Sequence, residues 1–311
     1  MNDIPHTSVL LSEFLQTFEG RDIRRFIDGT AGAGGHSLAI LQAHPEIEQL
    51  VALDRDASAL ELAKKRLEGF GDKVSLVKGN FCELLQDPDA LGTDSVDGIF
   101  LDLGVSSMHL DRGERGFSFS RQGPLDMRMD TTAELTAEII VNEWPEEELG
   151  RVFREYGEER RWRAAARRIV SFRKEEPITT TMQLAKILEP VLRPKNRKAI
   201  NPLTLVFQAL RIATNDELGA IETALPAALQ RLRPGGILGV ISFHSLEDRI
   251  VKKFFRQAAS DKQNTEGLSG LFLDKEPEVN LLTPKPIVAL EEEIAVNPRS
   301  RSAKMRFVEK L

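Results

Sequence analysis

Through the first hundred residues, short apolar runs alternate with longer stretches of mixed polarity. Arg25-Phe26-Ile27-Asp28, Leu50-Val51-Ala52-Leu53-Asp54, Val74-Ser75-Leu76-Val77 and Gly98-Ile99-Phe100-Leu101-Asp102 each read as a strand with little polar alternation. Strands of that kind are covered on both faces, as in a parallel sheet flanked by helices. The intervals carry helical spacing, from about His36 after the first strand and over 56–67 after the second. The alternation predicts a doubly wound α/β domain with a mostly parallel sheet.

The pattern then breaks. From Gly104 to Asp130 the chain is rich in Gly, Ser, Arg and Asp without a period, and an irregular stretch of that length points to function or disorder. From Thr132 to about Lys198 the signals are helical only, punctuated by Pro145, Pro177, Pro190 and Pro194. A long helical run starts near Leu203 and is expected to end at Pro234-Gly235-Gly236. Ile237-Leu238-Gly239-Val240-Ile241-Ser242-Phe243 then reads as a buried strand, 260–280 as a mobile polar loop, and Met305-Arg306-Phe307-Val308 as the last strand. Residues 1–111 and 203–311 are therefore expected to form one α/β domain, with 112–202 inserted as a helical domain.

Composition bounds the function. With 311 residues, 41% of them hydrophobic, the chain can bury one large core or two modest ones. The single cysteine, Cys82, excludes an internal disulfide and a Cys-rich zinc site, and fits a reducing cytosol. The five histidines show no metal-ligand spacing, so no metal is expected. No uncharged apolar stretch is long enough to span a bilayer, and the first residues lack the basic start and apolar run of a signal peptide. A soluble cytoplasmic protein is expected. The net charge of -6 argues against a nucleic-acid partner, but the charge is uneven. Between Arg151 and Lys198 there are fourteen Lys/Arg against six Asp/Glu, whereas the remainder has 28 against 42. A basic segment in an acidic chain suggests a localised polyanion contact; a solvated helical face is the equal alternative.

The strongest local signal is Asp28-Gly29-Thr30-Ala31-Gly32-Ala33-Gly34-Gly35-His36, where the first strand turns into a helix and glycines let backbone approach a ligand. Asp54 closes the second strand, where a carboxylate can bind both hydroxyls of a ribose. Phe81 follows the third, where an aromatic can lie against adenine, and Asp102 closes the fourth. In an open parallel sheet these ends line one crevice. A nicotinamide dinucleotide and S-adenosylmethionine both fit the ribose part. Asp28 would repel a pyrophosphate and favours a ligand carrying an ammonium and a sulfonium; the loop also lacks the GK[ST] ending of a phosphate-binding loop. Each acid by itself is equally readable as a helix cap or loop carboxylate.

Several longer strings carry a resemblance. They are Asp28-Gly29-Thr30 with Gly34-Gly35-His36-Ser37, Leu101-Asp102-Leu103-Gly104-Val105-Ser106-Ser107, Arg115-Gly116-Phe117-Ser118-Phe119 and Pro124-Leu125-Asp126-Met127-Arg128-Met129-Asp130. Tyr156-Gly157-Glu158-Glu159, Phe207-Gln208-Ala209-Leu210-Arg211-Ile212, Ile241-Ser242-Phe243-His244-Ser245-Leu246-Glu247-Asp248-Arg249 and Asn297-Pro298-Arg299-Ser300-Arg301-Ser302-Ala303-Lys304 continue the series. Together they resemble the ribosomal RNA small subunit methyltransferase H family, also called MraW, over nearly the whole chain. The resemblance implies a class I S-adenosylmethionine methyltransferase fold (Rossmann-like) with an inserted helical substrate-recognition domain. It also implies methyl transfer to the exocyclic N4 of a cytidine in the decoding region (P site) of 16S ribosomal RNA. Family contacts to S-adenosyl-L-methionine map onto Gly34, Gly35, His36, Asp54, Phe81 and Asp102. A family glutamine seven residues after the strand-four aspartate is replaced by His109, whose neutral imidazole can still hydrogen-bond. The family's His-Pro-Ala-Thr-Arg-Thr string reads Asn201-Pro202-Leu203-Thr204-Leu205-Val206 here, without the arginine.

Asp102 is the expected catalytic acceptor for the amino protons, with cofactor binding alone as its alternative role. Ser106, Ser107, Ser242, Phe243 and His244 are the expected substrate contacts. For the serines loop capping is the alternative, and for Phe243 core packing. The expected partner is 16S ribosomal RNA, within the small subunit or its precursor. Two other classes stay open on the sequence: a nicotinamide-dependent oxidoreductase, and an RNA-binding assembly factor without turnover.

Overall fold

The computed structural model describes residues 8–87, 89–92, 95–105, 112–193, 200–264 and 272–311. It divides into two compact units, Met1–Gly104 with Leu218–Leu311, and Val105–Glu217. The first unit opens with α1 (Leu11–Phe18), β1 (Arg25–Asp28), α2 (Gly35–Ala43), β2 (Gln49–Asp54), α3 (Ala57–Leu67), β3 (Val74–Lys78), α4 (Phe81–Leu84) and β4 (Val96–Asp102). The second holds α5 (Ala137–Glu143), α6 (Glu146–Glu155), α7 (Trp162–Phe172), α8 (Thr181–Leu188) and α9 (Pro202–Asn215). Then follow α10 (Glu217–Arg231), β5 (Leu232–Ser242), α11 (Ser245–Ala258), β6 (Lys262–Asn264), β7 (Phe272–Asp274), β8 (Val279–Leu281), α12 (Glu291–Val296) and β9 (Lys304–Lys310).

The sheet order is β3-β2-β1-β4-β5-β9-β8. Strands β1 to β5 pair in parallel, and β9 runs antiparallel to both β5 and β8. This is the doubly wound order of class I S-adenosylmethionine methyltransferases. The direction of winding reverses between β1 and β4, so a crevice opens at their carboxyl ends.

Alternate residues of each strand feed opposite faces. Phe26, Leu50, Ala52, Phe100, Ile241 and Phe307 pack with α1, α2 and α3 in one core. Ile27, Val51, Leu53, Ile99, Leu101 and Val240 pack with residues of α4, α10 and α11 in the other. Burying both faces is what lets these strands dispense with polar alternation. Gly98 is required where β4 passes β1, because a Cβ there would lie 2.6 Å from the Phe26 ring.

The helical unit has its own core, including Leu125, Met127, Ile140, Phe153, Ala166, Leu184 and Phe207. Helices α5, α8 and α9 start at side-chain caps: Thr136 accepts from Ile139 N at 3.1 Å, Thr180 from Gln183 N at 3.2 Å, and Asn201 from Leu203 N at 3.0 Å. The irregular segment before α5 is pinned internally. Arg115 Nη2 donates to the Arg128 and Met129 carbonyls, both at 2.9 Å, and Arg128 forks onto the Asp126 carboxylate at 2.8 and 2.7 Å. Gly116 is in the left-handed region (φ +76°), and a Cβ there would meet the Pro124 carbonyl at 2.2 Å.

Three expectations are corrected. The run expected to be one helix from Leu203 is two, because Asp216 turns left-handed (φ +46°) between α9 and α10. The boundary expected at 202/203 consequently falls after Glu217: Val206, Phe207, Ala209 and Leu210 of α9 belong to the helical core. Residues 260–280, expected as a loop, contain the β6–β7 ribbon and β8, which joins the main sheet beside β9. Among the described residues no helix is long and apolar enough to cross a membrane.

Candidate active site

Asp28 is 1% exposed at the end of β1. Ser37 Oγ donates to its Oδ2 at 2.6 Å, and Thr30 N to its Oδ1 at 3.2 Å. Burial pushes the carboxyl up to about 6; the Ser37 and Thr30 hydrogen bonds oppose that and the Asp54 charge adds to it. Asp54, closing β2, receives Gly32 N on Oδ2 and Asp56 N on Oδ1, each at 2.8 Å. Its carboxylate is thereby oriented by the same glycine turn that follows β1.

That turn is tightly seated. Gly34 is left-handed (φ +78°) with Ala63 of α3 at 3.3 Å from where a Cβ would stand, and a Cβ on Gly35 would lie 2.0 Å from Ser8 Oγ. His36 follows in the first turn of α2, 6% exposed, with Nε2 3.0 Å from the Val9 carbonyl. Phe81 starts α4 after β3 at 8% exposure, and its ring belongs to the sheet's core.

Asp102 closes β4 beside the winding reversal. Its N–H donates to Thr30 Oγ1 at 2.5 Å, and its Oδ2 lies 3.6 Å from His36 Nδ1. Its buried Oδ1 has no hydrogen-bond partner among the described residues. Burial first, then the Asp28 and Glu247 carboxylates, push this group up to about 8. An unpartnered buried acceptor in an acidic crevice fits a cationic ligand or an N–H donor, and does not fit a phosphate.

The expected substrate residues are divided. Ser106, Ser107 and His109 lie outside the described residues. Ser242 is 2% exposed, and its Oγ donates to the Lys304 carbonyl at 3.3 Å, across the β5–β9 ladder. Phe243 lies against the β4 exit turn, 3.4 Å from where a Gly104 Cβ would stand. His244 caps α11 in a capping box with Glu247. Glu247 is 1% exposed and accepts Phe243 N at 2.8 Å and His244 N at 3.2 Å. Thr30, Ser37 and Glu247 are the residues sequence reading missed. For Glu247 the signal was the spacing from a helix cap to an acid three residues later.

In the helical unit the basic segment separates into two sets. Arg161, Arg168 and Arg173 donate to the Val191, Ile187 and Val141 carbonyls, and Arg151 pairs with Glu148. The Arg163 guanidinium lies 4.1 Å over the Trp162 ring, and Arg154 lies 5.4 Å from it. Arg154, Arg160, Arg163 and Arg167 are exposed, with Arg154 paired to Glu155 at 2.7 Å and Arg167 lying 3.8 Å from Glu146.

The strand order, the glycine turn after β1 and the acids closing β1, β2 and β4 define a class I, Rossmann-like methyltransferase. Residues 3–311 match the model of the MraW methylase family. The chain belongs to that family. It is 54% identical over 308 residues to the ribosomal RNA small subunit methyltransferase H of Protochlamydia amoebophila, covering 99% of this chain and 98% of that one. The protein of the same name from Pelobacter propionicus is 46% identical over 313 residues, with both chains fully covered. A solved rRNA methylase from Streptococcus thermophilus aligns with 96% of this chain and 93% of that chain at 11% identity and a TM-score of 0.42, too distant to add to the strand order.

Proposed function

We propose that this protein transfers the methyl group of S-adenosyl-L-methionine to the exocyclic N4 of a cytidine in the decoding region (P site) of 16S ribosomal RNA. It acts in the cytoplasm on the small subunit or its precursor. The observation that carries the chemistry is the buried Oδ1 of Asp102 beside the winding reversal, which has no hydrogen-bond partner among the described residues. The name shared by the relatives supports the RNA substrate.

The bound cofactor supplies an electrophilic methyl on a sulfonium, a cation that the Asp28, Asp54 and Asp102 carboxylates favour. Asp54 would hold the ribose hydroxyls, the Gly34-Gly35-His36 backbone would line the amino-acid end, and Phe81 would border the adenine. A cytosine amino group is a weak nucleophile, because its lone pair is delocalised into the ring. Asp102 accepts a hydrogen bond from N4–H, aligns the nitrogen and favours the charge that builds on it. Orientation of this kind lowers barriers by about 7–11 kcal/mol in well-positioned systems. Phe243 stacks on the target base, worth about 1–3 kcal/mol, with His244 beside it. Arg154, Arg160, Arg163 and Arg167 contact phosphates and set affinity without choosing sequence.

The test is incubation with methyl-labelled S-adenosylmethionine and small subunits from cells lacking the enzyme, alongside equilibrium titration with S-adenosylmethionine and NAD. Label in 16S RNA and binding of the methyl donor alone are expected. NAD binding without methyl-donor binding would return the protein to the oxidoreductases. Subunit binding without label would make it an assembly factor.

A further inference from the structure

We propose that His36 and Asp102 form a proton-sharing pair, with His36 a positioning residue that acts through Asp102. The inference rests on the reading of Asp102 as the group that meets the substrate amine.

The geometry fixes which nitrogen does what. The Val9 carbonyl can only accept, so His36 Nε2, 3.0 Å away, carries the ring proton. Nδ1 is then the lone-pair nitrogen, 3.6 Å from Asp102 Oδ2. The ring cannot swing out of this arrangement. It is 6% exposed, edge-on to Phe14 with centroids 5.1 Å apart and tilted against Phe100 at 4.7 Å. The Asp102 backbone is held by Thr30, whose Oγ1 accepts its N–H. At 3.6 Å the two atoms stand just beyond hydrogen-bond distance, as two ionised or lone-pair atoms that repel do, and a proton on either one replaces the repulsion by attraction and lets them close to a hydrogen bond. On Oδ2 the pair is a carboxylic acid with a neutral imidazole; on Nδ1 it is a carboxylate with an imidazolium.

The groups facing Asp102 favour holding that proton. Asp28 from β1 and Glu247 from α11 are both carboxylates, and Asp54 stands behind Asp28. The Phe14 and Phe100 rings that face His36 carry no charge. A cationic ligand in the crevice reverses the balance and frees the carboxylate.

In the transfer step, the N4 lone pair forms the N–CH3 bond while the electrons of the S–CH3 bond stay on sulfur. The proton lost from N4 goes to the Asp102 carboxylate, and Asp102 passes one proton to His36 Nδ1. The products are the methylated base, the neutral sulfide S-adenosylhomocysteine and an imidazolium. The imidazolium then loses its proton to solvent.

The test is ring-nitrogen NMR on the full-length protein labelled with 15N-histidine, without ligand, between about pH 5.5 and 9.5. Nε2 is expected to stay protonated throughout while Nδ1 titrates. Asp102→Asn is expected to lower the Nδ1 midpoint by about one to three units, because the carboxylate that favours the imidazolium is gone. An unmoved midpoint, or a proton resident on Nδ1 with Nε2 bare, would overturn the pair. A second arm measures single-turnover methyl transfer against pH for His36→Phe, which keeps a ring between Phe14 and Phe100. With no second atom to share the proton, the acid limb should move to lower pH by about one unit. A profile parallel to the wild type would also overturn the proposal. If His36→Phe does not fold, the NMR arm decides alone. If the wild type transfers no methyl, the function fails while the NMR result still judges the pair.

Discussion

Asp28→Asn should make the protein more stable and less able to bind its methyl donor. The buried carboxyl has a folded-state pKa of about 6 against an ordinary 3.8. Its folded pKa is raised, so the folded state binds more protons than the unfolded state between those values, and stability falls as pH rises through that window. The deficit is about 1 kcal/mol at pH 4.5 and reaches its plateau of about 3 kcal/mol by pH 8. An asparagine has the same shape: its oxygen can accept from Thr30 N, and its amide NH2 can donate to Ser37 Oγ, a hydroxyl that now donates at 2.6 Å and can turn to accept. Urea unfolding of wild type and variant at both pH values measures the effect. The variant's advantage should grow by about 2 kcal/mol from pH 4.5 to pH 8. An equal effect at both values would refute the reading of Asp28 as a carboxylate held ionised at a cost, and of the acidic crevice as built for a cation.

Three further outcomes follow from single contacts. Arg306→Met should cost about 1–3 kcal/mol, because Asp248, whose Oδ1 receives Arg306 Nε at 2.7 Å with both residues buried, is left with Lys304 Nζ at 3.3 Å as its remaining cation. Burial works to raise Asp248, but Arg306 and Lys304 outweigh it and hold the carboxyl below its ordinary value. That stability is present above the ordinary pKa and is lost as pH falls through the folded one, so the penalty should shrink in acid unfolding experiments. Gly150→Ala should destabilise the helical unit by about 1–3 kcal/mol in thermal unfolding, since its Cβ would stand 2.8 Å from the rigid Trp162 ring. Replacing Arg160, Arg163 and Arg167 together by Ala should flatten the plot of log affinity for ribosomal RNA against log salt by about 0.7–0.9 per phosphate contact removed. An unchanged slope would remove these arginines from the interface.

The strands were legible because burial on both faces leaves unbroken apolar runs, and Asp28, Asp54 and Asp102 mark the carboxyl ends of β1, β2 and β4. The strand order across β5, β9 and β8 was not legible. Nothing local to Val279–Leu281 shows that a three-residue segment completes a sheet edge. The division into units was misread at α9 because its apolar face is as consistent with one core as with the other. Only the left-handed Asp216 separates α9 from α10. Within the site, the glycine turn and the strand-end acids announce themselves by type and position. The hydrogen bonds from Ser37 to Asp28 and from Asp102 N to Thr30 are tertiary, over separations that no periodicity encodes. Ser242 is of the same kind: its hydrogen bond to the Lys304 carbonyl arises from pairing with β9, a partner 62 residues away that the strand end does not reveal.

The most direct test of the central claim is the identity of the methylated nucleoside. Small subunits labelled by the purified protein should be digested to nucleosides and separated by chromatography, for the wild type and for Asp102→Ala. Label that migrates as N4-methylcytidine with the wild type and vanishes with Asp102→Ala is the predicted result. Label in any other nucleoside, or undiminished label with the variant, would contradict it.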